Sequence, residues 1–227
     1  MHFLDRGRIE PPGCLELFDH SKHAWDGCCC GSGCQPGRCP EFRKRKAEIR
    51  AALDRLQIDR CAYCEAPLYA GGHIEHFRRK HKDHFPELTF DWENLFLSCD
   101  GPGTCGHFKD RRNSPSYSPD QLVKPDKHDP ECFLFFHSRG EVLPRGGIDP
   151  AAQARANETI RVFGLNDPAL QALRRKAIAG YMSAHRFLDE VKDLPPEERS
   201  QFIADELRAT ESRPFRTALH HFVKKYL

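Results

Sequence analysis

Four cysteines between positions 61 and 105 have a spacing that suits a metal ion. Cys61 and Cys64 are separated by two residues, which lets both sulfurs reach one ion from a tight turn. Cys99 and Cys105 form a looser second pair, whose connecting segment contains two glycines and a proline. Four thiolates close a tetrahedral shell and leave no open position, so the pattern predicts a structural zinc site in preference to four unrelated buried thiols.

Polar residues of a second kind lie between and just after these cysteines. Glu75 offers a hard oxygen and His107 an imidazole, while His76 stands next to Glu75. A histidine with an ordinary pKa near 6.5 can accept a proton at neutral pH. An open metal site beside such a histidine has the chemistry required to hydrolyse a phosphodiester.

The same region resembles the HNH (ββα-metal) nuclease superfamily. The residues that carry this resemblance read CAYCE from 61, IEHFRRK from 74, WENLFLSC from 92 and CGHFKD from 105. A longer match continues through LVKPDKHDPE from 122 and RANETIRVFGLN from 155. With these segments the chain is most similar to the HNH subunit of Septu-type and retron-associated anti-phage systems.

This resemblance implies a role for each polar residue of the motif. His76 would be the general base, and Glu75 and His107 would hold one Mg²⁺ or Mn²⁺ ion. Asn94 would orient His76, through its own amide carbonyl or through a backbone carbonyl nearby. The predicted site therefore combines a catalytic acid–base residue with a metal that keeps most of its positions for water and phosphate.

The chain departs from the superfamily pattern at one position. Many HNH motifs place the last metal ligand directly after the last cysteine, where this chain has Gly106. His107 is then the candidate ligand, with helix capping or packing beside the zinc as its alternative role. His73 precedes His76 by three residues and could compete with it by binding metal or phosphate.

Basic residues are unevenly distributed, although the formal net charge is only +2. The cluster at 43–46 is expected to be a solvated helix face. Two other clusters, at 78–82 and 109–112, flank the motif and could neutralise a phosphate backbone. We expect Arg78 to contact phosphate as a bidentate fork and Lys109 to do so as a point charge.

Composition limits the class of protein. The 227 residues are 39% hydrophobic and 30% charged, as in a soluble globular protein. A run of about 18 apolar residues is absent, which excludes a membrane span. The first residues lack the apolar stretch of a signal peptide, so we expect a cytoplasmic chain. In that compartment the eleven cysteines favour metal binding over disulfides.

A further group of cysteines lies near the N-terminus and leaves two hypotheses open. These residues could bind a second zinc ion, or they could be redox-sensitive free thiols in a loop rich in glycine. They are Cys28, Cys29, Cys30, Cys34 and Cys39.

The elements that position the motif can be placed from periodicity and turn signals. We predict a helix over 41–58, a buried strand over 94–98, and a β-hairpin from 133–136 and 141–143. Asp149 and Pro150 signal a helix start and Gly164 its end, with further helices after 167, over 196–207 and over 214–225.

We therefore expect an α+β fold in which a zinc-braced ββα-metal core carries a small hairpin and a mainly helical C-terminal part. Residues 1–60 would be a Cys-rich loop and helix, 61–115 the nuclease core, and 116–227 a linker, hairpin and helical region. The helical region either packs against the core or presents a surface to a partner.

The resulting hypothesis is a metal-dependent HNH endonuclease acting as the effector of an anti-phage defence system. The competing hypothesis is a non-catalytic zinc module that binds nucleic acid or protein, which would not need the Glu-His doublet, Asn94 and His107 in this order. The resemblance implies an ATPase subunit as partner and, for retron relatives, a reverse transcriptase with its DNA product. The chain has no P-loop of its own. The choice between DNA and RNA as substrate stays open.

Overall fold

The computed structural model describes residues 1–26, 40–69, 71–101, 103–114, 116–185 and 187–226. Within them it contains seven α-helices and two small antiparallel sheets, so the α+β prediction is confirmed. The N-terminal cysteines predicted to form a second zinc site or free thiols lie outside the described residues. No helix of the described part has the length and apolar character needed to cross a membrane.

The regular elements follow the predicted order along the chain. The strands are β1 (His73–His76), β2 (Leu95–Ser98), β3 (Leu134–Phe136) and β4 (Val142–Pro144). The helices are α1 (Pro40–Gln57), α2 (Cys105–Asp110), α3 (Pro150–Val162), α4 (Pro168–His185), α5 (Phe187–Lys192), α6 (Pro196–Ala209) and α7 (Arg216–Val223).

Strands β1 and β2 form an antiparallel pair, in which His73 faces Ser98 and His76 faces Leu95. All four residues of β2 are buried, as its apolar run predicts. The side chain of Gln57, at the end of α1, forms hydrogen bonds with the outer edge of β2. Its amide donates to the Leu97 carbonyl at 3.0 Å and accepts from the Leu97 N–H at 2.8 Å. This edge, which would otherwise expose unpaired backbone groups, is thereby closed.

The first residues of the chain pack into the core. They lack regular strands or long helices, as predicted, but Leu4, Leu15 and Trp25 are buried. The Arg6 guanidinium lies 4.8 Å from the Trp92 ring centre and 4.6 Å from that of Phe96. Strand β2 is therefore covered by sequence-distant residues that no local pattern identifies.

The hairpin and the C-terminal helices begin where the turn signals place them. Asp149 accepts hydrogen bonds from the Ala151 and Ala152 backbone amides, and Pro150 occupies the first helical position of α3. Gly164 follows the end of this helix with a φ of +58°. Such a left-handed conformation favours glycine, so the predicted helix stop is confirmed.

A buried carboxylate joins the cysteine turn to the last helix. Glu65 accepts from His2 Nδ1 at 2.9 Å, from the Thr217 backbone N–H at 2.8 Å and from the Thr217 hydroxyl at 2.6 Å. Burial would raise the pKa of Glu65, but the charge of the amino terminus, the hydrogen bond from His2 and the charge of Arg60 lower it well below the ordinary value. The carboxylate is thus charged and fully bonded inside the protein.

Glu65→Gln should lower the free energy of unfolding by about 2–3 kcal/mol at neutral pH, because a buried charge-assisted network loses its charged acceptor. Chemical denaturation measures this loss. The difference in unfolding free energy between wild type and variant should shrink as the pH falls below the ordinary glutamate pKa of 4.5. The reason is that the surroundings of Glu65 stabilise only its charged form. The exposed Glu198→Gln is the control, and equal stability of the two variants would contradict the role of Glu65.

Candidate functional site

The four predicted zinc ligands come together in space. Cys61, Cys64, Cys99 and Cys105 place their sulfurs within 4.8 Å of one another. The sulfurs of Cys64 and Cys99 are 3.8 Å apart, which equals the edge of a tetrahedron with metal–sulfur bonds of about 2.3 Å. The donor set and its spacing therefore fit a zinc ion.

Backbone hydrogen bonds hold the turn of the first cysteine pair and the start of α2 in place. The amide of Ala62, inside the first pair, donates to the Leu97 carbonyl at 3.0 Å and ties this turn to β2. Cys105 starts α2 with a φ of +55°, and its amide donates to the Phe163 carbonyl at 2.8 Å. A non-glycine residue adopts this conformation only where the surroundings impose it. The end of α3 thus helps to place the last thiol.

A buried arginine of α4 lies close to the cysteine cluster. Arg174 donates to the backbone carbonyls of Gly140 at 2.9 Å and Leu165 at 2.7 Å. Burial lowers the pKa of Arg174, whereas attraction to Cys64 and Cys105 opposes this shift. Four thiolates around Zn²⁺ leave a net negative charge, which this guanidinium would offset. Helical periodicity alone does not distinguish such an arginine from an exposed one.

Glu75 is buried in an ion pair. Its carboxylate is 2.7 Å from the Lys109 ammonium and accepts a hydrogen bond from the Tyr63 hydroxyl. Burial raises the pKa of Glu75. Lys109 is 0% exposed and also donates to the His76 carbonyl at 3.0 Å and to Asp110 at 2.8 Å. The metal role of Glu75 and the phosphate contact of Lys109 stay predictions, and each would require this pair to open.

His76 is buried at the end of β1 and lines a cavity. Its Nε2 lies 3.0 Å from the Thr89 carbonyl, which can only accept, so Nε2 carries the hydrogen and Nδ1 is the unprotonated nitrogen. The Trp25 ring meets the imidazole edge-on, with centres 4.6 Å apart. Burial lowers the pKa of His76 to about 3, with a further contribution from the charge of Lys80. The ring is therefore neutral at physiological pH.

Asn94 holds the loop beside His76. Its Oδ1 accepts from the Arg78 N–H at 2.7 Å, and its Nδ2 donates to the carbonyls of Arg78 and Leu88, each at 3.0 Å. The bond that orients His76 comes from the Thr89 backbone. The predicted role of Asn94 in orienting His76 stays a prediction.

The cavity beside His76 has a volume of about 1010 Å³ and collects cationic side chains from both predicted basic clusters. These residues are Arg79, Lys80, Lys82, Arg111 and Arg112. Arg79 pairs with Asp110 at 2.8 Å. Among the described residues, Lys80, Lys82 and Arg112 have no ion-pair partner within 4.0 Å. Asp26 and Asp110 also line the cavity, which therefore combines a neutral imidazole with an excess of cationic over acidic side chains.

Arg78 lies outside the lining of this cavity. Its guanidinium pairs with Asp120 and stacks over the Phe85 ring at 5.0 Å. The neighbouring Arg79 and Lys80 occupy the cavity instead. The basic segment can be recognised in the sequence, but the turn after β1 determines which of its side chains face the cavity. The phosphate contact of Arg78 stays a prediction.

His107 belongs to a separate, more exposed group with His73 and Asp100. The ligand atoms of these three residues lie within 4.8 Å of one another. Gly106 separates this group from Glu75: a Cβ at Gly106 would clash with the Glu75 side chain and lie 3.1 Å from His73 Nε2. The structure thus brings His107 to His73, the residue considered as a competitor in the sequence, and places Glu75 beneath Gly106.

The chain is similar in sequence to a known protein. The chain is 29% identical over 146 residues to a protein of Vibrio cholerae serotype O1 biovar El Tor named "Retron Vc95 putative HNH endonuclease". The similarity covers 61% of this chain and 67% of that relative. It supports an HNH family. No protein-family model matches the chain.

Cys64→Ser should remove the zinc and abolish cooperative folding, because thiolate ligation contributes on the order of 10 kcal/mol in small zinc modules. Metal analysis of the purified protein and thermal unfolding measure both effects. Cys132→Ser is the matched control, since Cys132 is an exposed free thiol outside the cluster. A Cys64→Ser protein with wild-type zinc content and unfolding would contradict the structural role.

Proposed function

We propose that this protein is a metal-dependent HNH endonuclease that hydrolyses phosphodiester bonds of nucleic acid. Strands β1 and β2 with helix α2 would form its ββα-metal core, and the four cysteines its zinc brace. The observation that carries the proposal is His76: a buried, neutral imidazole with a fixed tautomer, in the wall of a cavity lined by cations. The similarity to an HNH-named relative supports it.

His76 would take a proton from the attacking water at Nδ1. The Thr89 carbonyl holds the Nε2–H, which keeps the ring in the tautomer that leaves Nδ1 unprotonated. Phosphates entering the cavity would oppose the charge of Lys80, one of the causes of the low pKa of His76. Substrate binding would thereby strengthen the base when it is needed.

The cavity would bind the phosphate backbone of the nucleic-acid substrate. Lys80, Lys82 and Arg112 can each neutralise a phosphate, and such contacts give affinity without reading bases. A divalent ion bound near the scissile phosphate would stabilise charge on the phosphate and on the departing oxygen. The chain itself would then contribute a positioned base and a cavity lined by cationic side chains.

The name of the relative supports a link to retrons. The resemblance found in the sequence supports a wider proposal about biological role. The chain would be the effector nuclease of an anti-phage defence system, with an ATPase subunit as partner. In a retron system a reverse transcriptase and its DNA product would join them. An ATPase gene adjacent to that of this chain would support the Septu assignment, and an added reverse transcriptase gene the retron assignment.

His76→Ala should lower cleavage by about 100-fold or more while keeping zinc and fold, as expected for loss of a general base. Nicking of supercoiled plasmid and cleavage of single-stranded RNA, with Mg²⁺ or Mn²⁺ and with EDTA, measure the activity. His76→Gln tests the same loss with less change in packing. His137→Ala, in the distant hairpin, is the control. Wild-type cleavage by both His76 variants would contradict the assignment.

The double variant Lys82→Gln, Arg112→Gln should weaken nucleic-acid binding at every sequence and lower the slope of log K against log salt by about 2, since two phosphate contacts are lost. Fluorescence anisotropy with labelled oligonucleotides over a salt series gives the slope. The control carries Lys44→Gln and Lys176→Gln, which remove the same charge from exposed helix faces elsewhere. Equal slopes for the two double variants would argue against the cavity as the binding surface.

A further inference from the structure

Three side chains on the surface beside the cysteine cluster have the geometry of a second metal site. His73 Nδ1 lies 3.1 Å from Asp100 Oδ1, and His107 Nε2 lies 3.7 Å from the same oxygen. The two imidazole rings are 4.0 Å apart between centres. Two imidazoles and one carboxylate therefore converge on one point from β1, from the loop after β2 and from α2.

The carboxylate of this group is oriented by the backbone. The Gly72 N–H donates to Asp100 Oδ2 at 2.8 Å, which leaves Oδ1 directed at the two histidines. Arg50 in turn donates to the Gly72 carbonyl at 2.8 Å and to the Gly71 carbonyl, so that α1 holds the donor turn in place. Outer contacts of this kind orient a ligand before the ion arrives.

The position of the group along the chain couples it to the cysteine cluster. Asp100 follows Cys99 directly, and His107 is two residues after Cys105. A zinc ion on the cysteines would thus fix the backbone next to Asp100 and next to His107. The side chains of His73, Asp100 and His107 are 29%, 59% and 48% exposed, so an ion there would keep open positions toward solvent.

We propose that His73, Asp100 and His107 bind one exchangeable divalent transition-metal ion, separate from the zinc on the four cysteines and from the Glu75–Lys109 pair. Two imidazoles with one carboxylate favour ions such as Zn²⁺, Co²⁺, Ni²⁺ or Mn²⁺ over Mg²⁺ and Ca²⁺, which prefer oxygen ligands. This proposal goes beyond the proposed nuclease function, because the three residues can bind an ion whether or not the protein cleaves nucleic acid.

Titration calorimetry of the zinc-loaded protein with Co²⁺, and electron paramagnetic resonance of free Mn²⁺, should each detect one added ion per chain. His73→Ala and Asp100→Asn should each weaken this binding by about 100-fold or more, as removal of a ligand costs at least as much as removal of an outer contact. Zinc content and thermal unfolding of these variants show whether the cysteine cluster is intact. Mg²⁺ in large excess should not displace the bound Co²⁺.

His81→Ala is the matched control. His81 also lies 3.1 Å from an aspartate, Asp83, and near a second histidine, but these three do not converge within 4.8 Å. Unchanged Co²⁺ affinity in His73→Ala and Asp100→Asn with intact zinc, or an equal loss in His81→Ala, would overturn the proposal. So would an equal loss in Glu75→Gln, which would place the ion on Glu75. Cleavage activity is not read in any of these measurements.

Discussion

The meeting of four cysteine sulfurs within 4.8 Å is the constraint on which the rest of the structure depends. The thiols come from the turn after α1, from the end of β2 and from the start of α2. Between them lie two strands of four residues each, which are too short to be stable as an isolated pair. With the sulfurs at one point, the segment that contains both strands is closed into a loop. The pairing of β1 with β2 brings His76 to the cavity and His73 to the opposite end of the strand. A metal ion at the cluster would convert this meeting into a cross-link.

The helical C-terminal part contributes to the same centre. The Phe163 carbonyl accepts a hydrogen bond from the Cys105 amide, and the Phe163 ring stacks on the Tyr63 ring with centres 4.0 Å apart. Arg174 lies buried beside the thiols. Glu65 binds the start of α7 through Thr217. A boundary placed near residue 115 cuts through all of these contacts. The hydrophobic core is continuous across this boundary, and the division into a nuclease core and a C-terminal region stays a prediction. A partner that docks on the outer faces of these helices would act on elements that already touch the cysteine cluster.

Sequence patterns predicted those parts of the molecule that depend on neighbours along the chain. The Asp149–Pro150 start, the Gly164 stop and the two-residue spacing of Cys61 and Cys64 are local signals, and each led to the right element. The rest depends on distant contacts. Nothing in the segment around Lys109 indicates that its ammonium turns inward to Glu75, 34 residues earlier, and the contact of Trp25 with His76 joins segments with no common motif. The cations that line the cavity come from the two predicted basic clusters. The turn after β1 determines that Arg79, and not Arg78, faces the cavity.

The ion pair between Glu75 and Lys109 bears on where a divalent cation can bind. A cation approaching Glu75 would meet an ammonium already 2.7 Å from the carboxylate, in a place closed by Tyr63 and Gly106. Like-charge repulsion at low dielectric is severe, so either Lys109 must leave or the ion must bind elsewhere. Lys109 also bonds the His76 carbonyl, and its departure would disturb the strand end that carries the base. The group of His73, Asp100 and His107 imposes no such rearrangement. Gly106 lets the Glu75 side chain pack beneath it, and the next residue, His107, lies beside Asp100, so the first turn of α2 determines both features.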